Sequence, residues 1–238
     1  MKLTLSTYKA IKYACEHFHY AHATPVNPLG YNVYNDAGEW CGVVLFGHGA
    51  TVNIGKPYGL KQGEILELTR VALNGKQECT SQAVAMALKQ LHKDCPLCRL
   101  VVSYADADQK HLGTIYQATN WIYEGLLNVG DKSAFIIHGR KVHRRSVGAK
   151  IINGRPCVQS LEAVRKYFDP NATEFVTEGK HKYCMPMDKA MRRQLAHLAK
   201  PYPKNDGEWT KIDRNIFKNR NNSTTDMQKR METHLRGV

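Results

Sequence analysis

Residues 99–125 read RLVVSYADADQKHLGTIYQATNWIYEG, and this stretch decides the fold. Leu100, Val101 and Val102 form the apolar run of a buried strand. The run breaks at Ser103-Tyr104-Ala105-Asp106, where a hydroxyl, a phenol and a carboxylate cluster. A loop with His111 and Gly113 follows, and a helix is predicted from about Thr114. Polar groups at the carboxyl end of such a strand, just before a helix, lie where open α/β sheets take their ligands. The segment predicts an α/β fold and marks its own strand end as an active-site edge.

Working outward, residues 6–20 predict a helix with Ser6 or Thr7 as N-cap and an apolar face of Tyr8, Ile11, Ala14, Cys15 and Phe18. Residues 31–34 and 40–46 predict a hairpin turning at Asn35-Asp36-Ala37-Gly38. A glycine-rich loop over 47–63 leads to a strand over 64–73. Ser81 caps a helix running through His92, with Val84, Ala85, Leu88 and Leu91 on its apolar face. Farther on come a strand over 133–138 with Lys141 on its hairpin partner, a helix over 160–168, strand pieces at 174–176 and 182–184, and a basic helix over 188–198. The order predicts one mixed sheet with flanking helices. Its parallel pair, 64–73 and 99–104, is joined through the Ser81 helix and flanks the site. Three regions are expected: a catalytic core over 1–145, a completion of that core over 146–199 with the basic helix, and a basic, loosely ordered tail over 200–238.

Length and composition suit a soluble domain: 238 residues, 42% hydrophobic and 23% charged, with no run of about 18 apolar residues. No signal peptide is read in the first twenty residues, so a cytoplasmic protein without membrane partners is expected. The 7 cysteines are scattered; Cys95 and Cys98 form a lone C-x-x-C pair, read as reduced thiols. Charge is the strong signal. Lys and Arg outnumber Asp and Glu by 34 to 21, giving a net charge of +13. The excess is clustered, in Arg140-Lys141-Val142-His143-Arg144-Arg145 and from Lys180 onward through Arg192, Arg193, Lys218, Arg220, Lys229 and Arg230. Clustered cations predict a phosphate polyanion as partner.

Several constellations can carry chemistry. His17, His19, Tyr20 and His22 offer imidazoles and a phenol at a helix end, suited to proton transfer or to a metal such as iron with mixed N/O ligands, or simply to capping the helix dipole. Glu67 and Arg70 stand three apart on one strand, which sends them to opposite faces; whichever is buried needs an ion pair or a function. The turn 74–80 before Ser81 suits an anion, although Ser81 also serves as a plain N-cap. Asp106 is placed to act as base or metal ligand, or to form a turn, and Tyr116 to give a proton to a leaving group, or to pack. For His111 the sequence offers a helix cap or a place in the site.

With these residues in view, SYADADQKHLGTIYQATNWIYEG, the ELTRVAL strand, the HFHYAHATP helix end and the GVVLFG strand resemble the Mom family of phage DNA-modification proteins. The resemblance covers most of residues 5–140. It implies a GNAT-like fold, that of the N-acyltransferases, and conversion of adenine in double-stranded DNA to N6-carbamoylmethyladenine, which shields phage DNA from host restriction in the host cytoplasm. It implies Asp106, Tyr116 and Tyr20 as catalytic residues and Arg70 and Ser81 as contacts to the donor. Iron is implied too, with His19, Tyr20 and Asp106 as its ligands. Arg140, Lys141, Arg144 and Arg145 are then the DNA grip, and Tyr20, Tyr104, Tyr116 and Trp121 are available to stack on an extruded base. The turn NGKQECTS (74–81) lacks the Gln/Arg-x-x-Gly-x-Gly/Ala loop with which acyltransferases hold coenzyme A. This argues against a coenzyme A thioester and for another small acyl or glycyl donor. A homodimer is compatible with the chain. Two other classes share parts of these signals: an acyltransferase for a small-molecule or protein amine, which needs no polyanion surface, and a non-enzymatic DNA-binding protein, which leaves the strand-end cluster idle.

Overall fold

The computed structural model describes residues 1–49 and 51–204. In chain order the elements are β1 (Lys2–Leu5), α1 (Tyr8–Phe18), β2 (Leu29–Tyr34), β3 (Trp40–Gly47), β4 (Ile65–Leu73), α2 (Thr80–Asp94), β5 (Leu100–Asp106), α3 (Thr114–Gln117) and β6 (Ile122–Leu127). There follow β7 (Ala134–Ile137), β8 (Arg140–His143), α4 (Arg144–Gly148), β9 (Ile151–Ile152), β10 (Arg155–Pro156), α5 (Leu161–Tyr167), β11 (Thr173–Phe175), β12 (Lys180–Pro186) and α6 (Lys189–Leu195). The expected tail lies, from residue 205 on, outside the described residues, and with it Lys218, Arg220, Lys229 and Arg230.

The fold is the expected mixed α/β sheet with flanking helices. Seven strands lie in the order β1-β2-β3-β4-β5-β12-β6, and Met1–Tyr202 form one compact unit. All neighbours are antiparallel except β4 and β5, which run parallel through α2. The sheet is not the only one. β11-β7-β8 form a three-stranded sheet and β9-β10 a two-stranded ribbon, built around a small core of Phe135, Val147, Cys157, Val164 and Ala172. Strand β12 leaves that region and returns to the main sheet between β5 and β6.

Both faces of the main sheet are covered. On one, α2 buries Ala83, Val84, Ala87, Leu88 and Leu91 against Leu66, Leu68, Val101, Trp121 and Tyr183. Spacings of three and four put these on one helix stripe, and each large side chain removed from water contributes about 1.5–3 kcal/mol. On the other face α1 packs Ile11, Ala14 and Cys15 on Val43, Leu45 and Ala72, while α6 packs Met191 and Leu195 on Ile65, Leu100 and Cys184. Tyr8, expected on the inner stripe of α1, is exposed. All 7 cysteines are free thiols. Among the described residues no helix is long and apolar enough to cross a membrane.

Candidate active site

Strands β4 and β5 pair only at Ile65–Leu100, Leu66–Val101 and Glu67–Val102, then part. Where the ladder stops, the Leu68 carbonyl loses its strand partner and a side chain takes over: Ser103 Oγ lies 2.9 Å from it. A buried carbonyl needs such a partner. Ser103 Oγ also lies 2.8 Å from Tyr116 Oη. Its single proton can go to the carbonyl or to the phenol, so Ser103 can turn from one to the other as Tyr116 changes charge. Tyr116 is only 7% exposed, packed between Trp121 and Tyr183, and burial pushes its phenol up to about 12.

The parting is shaped by a bulge. Leu45 pairs with Arg70 and Phe46 with Leu68, which leaves Thr69 as an extra residue in β4. A bulge shifts the alternation of side chains by one. Leu66 and Leu68 join Val71 and Leu73 in the core on the α2 face, so Glu67 and Arg70 share the other face. The expected opposite placement of Glu67 and Arg70 is thereby corrected. Arg70 donates through one terminal nitrogen to the Thr69 carbonyl (2.7 Å), and its buried Nε has no hydrogen-bond partner among the described residues.

The end of α1 closes over this gap. His19 stacks on Tyr20 at 4.4 Å, and Tyr20 meets the edge of the His111 ring at 5.6 Å, which places His111 in the site. Burial lowers His19 to about 4, with Arg70, His111 and His22 adding positive charge that works the same way. The ring is therefore neutral at ordinary pH. Its Nδ1 accepts the Ala21 N–H at 3.1 Å, so the proton sits on Nε2. Burial also raises the Tyr20 phenol, helped by Asp106 and Asp108 and opposed by Arg70. Tyr104, on the Glu67 side, is pushed up to about 12 by burial and by the Glu67 carboxylate.

Strand β5 extends through Asp106, beyond the expected end at 104. Asp106 Oδ1 accepts the Asp108 N–H at 3.1 Å, which fixes the turn toward His111. Nothing in the local sequence singles out Asp108. Its Oδ2 accepts from Lys141 Nζ (2.5 Å) and Thr177 Oγ1 (2.9 Å), and its Oδ1 from the Glu178 N–H (2.7 Å). Burial alone would raise this carboxyl, but the three donors outweigh it and the group is lowered.

Helix α2 begins at Thr80 with Cys79 as N-cap, so Ser81 is inside the helix and is not its cap; its Oγ lies 3.1 Å from Cys79 Sγ. The turn before it is tied to the β2–β3 turn, with Asn35 donating to the Lys76 carbonyl and the Asp36 N–H to Glu78. Trp121 is 1% exposed within the core, so stacking on an extruded base is closed to it. In the basic cluster, Lys141 is held by Asp108 and lies over the Phe175 ring. Arg144 donates to the Lys132 and Gln159 carbonyls and to Glu174, above the Phe135 ring. Both hold the small sheet together and are not free phosphate contacts. Arg140 and Arg145 are exposed.

The residues expected to hold iron are His19, Tyr20 and Asp106, a set that includes a phenol. Among the described residues no three His, Cys, Asp or Glu side chains converge on one point, and His19 has its Nδ1 lone pair engaged and its proton on Nε2.

The Mom protein family matches residues 3–204. No curated protein matches the sequence. Solved structures resemble the chain at low identity. Mutant forms of the spermidine/spermine N-acetyltransferase SpeG from Vibrio cholerae are 10% identical, covering 81% of this chain and 98% of theirs, with a TM-score of 0.42. NAA60 of Arabidopsis thaliana, in complex with a bisubstrate analogue, is 7% identical over 79% of this chain and 100% of its own, with a TM-score of 0.37. TofI, in a ternary complex with an inhibitor and MTA, is 11% identical over 84% and 98%, with a TM-score of 0.36. At these values the likenesses say nothing of substrate.

Proposed function

This chain belongs to the Mom protein family, and from that premise we propose that it transfers a carbamoylmethyl group, or else an acyl group, to N6 of adenine in double-stranded DNA, shielding phage DNA from restriction. The observation that carries the reading is the gap between β4 and β5, where Tyr116, Ser103, Arg70, His19, Tyr20 and Asp106 are gathered from both faces of the sheet.

The exocyclic amine of adenine is a weak nucleophile, because its lone pair is delocalised into the ring. It gains from a fixed approach and from removal of its proton as the bond forms. Asp106, at the open end of β5, is the carboxylate assigned to take that proton. As N6 bonds to the donor carbon, the bond from that carbon to the leaving group breaks. Tyr116, protonated across the neutral range, supplies a proton to the leaving group, and Ser103 turns its hydroxyl from the Leu68 carbonyl to the phenolate. Arg70, with its buried Nε unpartnered, is the contact for an anionic or carbonyl oxygen of the donor. Neutral His19 donates through Nε2. Tyr20, 47% exposed, is the ring available to stack on the extruded base. A buried target atom requires such extrusion.

The net charge of +13 favours DNA over a small-molecule amine as acceptor. The test is Asp106→Ala in the full chain. Modified adenine is expected to vanish from the DNA of expressing cells while duplex binding stays within about twofold; full modification by this variant would remove Asp106 from the chemistry.

A further inference from the structure

Residues 132–161 contain seven Lys or Arg and no Asp or Glu. Three of these cations are engaged, Lys132 and Arg144 by Glu174 and Lys141 by Asp108. The remaining four, Arg140, Arg145, Lys150 and Arg155, are exposed and form no ion pair among the described residues. In their midst stands the β9–β10 ribbon. Ile152 pairs with Arg155 and Ile151 with Pro156 across a two-residue turn. Asn153 (φ 51°) and Gly154 (φ 76°) both take positive φ, the tight hairpin turn that an Asn-Gly pair favours.

The ribbon has an inside and an outside. Ile152 packs against the small core of Phe135, Val147 and Cys157, and the Cys157 N–H donates to the Lys150 carbonyl at 2.8 Å, which pins the base. Ile151 points the other way and is 63% exposed, beside the exposed Pro156. One exposed isoleucine is ordinary. An isoleucine–proline pair on a stiff two-stranded ribbon, flanked by Lys150 and Arg155 with no carboxylate nearby in sequence, has the makeup of a nucleic-acid wedge. A two-stranded ribbon fits a DNA groove, and Ile and Pro are among the side chains that unstack base steps. The module that carries it is fastened to the active-site turn, through Asp108 to Lys141, two residues from Asp106. Between β8 and the ribbon, helix α4 adds only about 8 Å of rise.

We propose that the β9–β10 ribbon is the element that opens the duplex: the Ile151–Pro156 pair enters the base stack beside the target adenine, while Lys150 and Arg155 hold the flanking phosphates. This rests on the reading of duplex DNA as substrate. The chemistry that recognises the partner is a stacked, phosphate-flanked base step.

The full chain is mixed with a set of duplexes in which 2-aminopurine replaces adenine at one position at a time, together with a fluorescein label for anisotropy. Emission of 2-aminopurine rises when the base leaves the stack. The wild type is expected to bind and to raise emission at least threefold at one or more positions. Ile151→Ala is expected to bind within about twofold and to lose most of that rise, and Ile151→Phe to keep it. Emission unchanged in Ile151→Ala overturns the wedge and leaves the DNA reading standing. So does a wild type that binds without any rise, or an Ile151→Ala protein whose affinity falls in step with its emission. A wild type that fails to bind any duplex overturns the DNA reading, and the wedge with it.

Discussion

Tyr116 and Ser103 meet where the two faces of the sheet communicate, and their pairing makes a separable prediction. Tyr116→Phe keeps the ring between Trp121 and Tyr183 but removes the proton, so modification is expected to fall by about 100-fold to 10,000-fold with little change in melting temperature. Ser103→Ala is expected to cost less and to move the alkaline limb of the pH–rate profile upward, because the phenolate loses its donor. An unchanged rate in Tyr116→Phe would make this residue a packing tyrosine. His19 supplies a pH test. Its folded-state value of about 4 lies below the ordinary 6.5, with burial the chief cause. The unfolded chain therefore binds the proton more readily between those values. Stability is full above about pH 6.5 and is lost as pH falls toward 4. Thermal melts across that window are expected to show the decline, and His19→Gln to flatten it.

At the scale of elements, the turn between β5 and α3 is held open by glycine. Gly113 has φ +72°, and a Cβ there would collide with the rings of Tyr183 and Tyr116. Gly113→Ala is expected to destabilise by roughly 2–5 kcal/mol, read by denaturant unfolding, and to displace Tyr116. Much of this architecture is legible in the sequence. Periodicity marks α1, α2, the β2–β3 hairpin and β5, and the strand-end polar cluster locates the gap. Other features are hidden for physical reasons. The bulge at Thr69 reverses side-chain parity without any signal in residue type, so simple alternation sends Glu67 and Arg70 to opposite faces. Strand β12 reaches its place between β5 and β6 by long-range pairing, which local pattern does not encode. A short element such as β1 gives too few repeats of a period to be distinguished, and the helix read from about Thr114 is there as α3 but runs for only one turn. The roles of Lys141 and Arg144 depend on Asp108 and Glu174, far away in sequence, so a basic run looks uniform when half of it is structural.

For the whole molecule, a net charge of +13 makes DNA binding salt-dependent, and the structure separates gripping from supporting cations. Neutralising exposed Arg140 and Arg145 together is expected to reduce the slope of log affinity against log salt by about 1.8, near 0.9 for each phosphate left without its cation, on every duplex sequence alike. Lys141→Met is expected instead to lower the melting temperature by removing a donor from the part-buried Asp108 carboxylate. An unchanged salt slope in the double variant would put the DNA surface elsewhere. Transfer to adenine N6 at the gap between β4 and β5 can be read by mass spectrometry of nucleosides digested from the DNA of cells expressing the full chain. An adenine nucleoside carrying the transferred group on N6 is expected, absent from cells expressing Asp106→Asn. DNA with only unmodified adenine, from cells in which the folded protein is abundant, would contradict it.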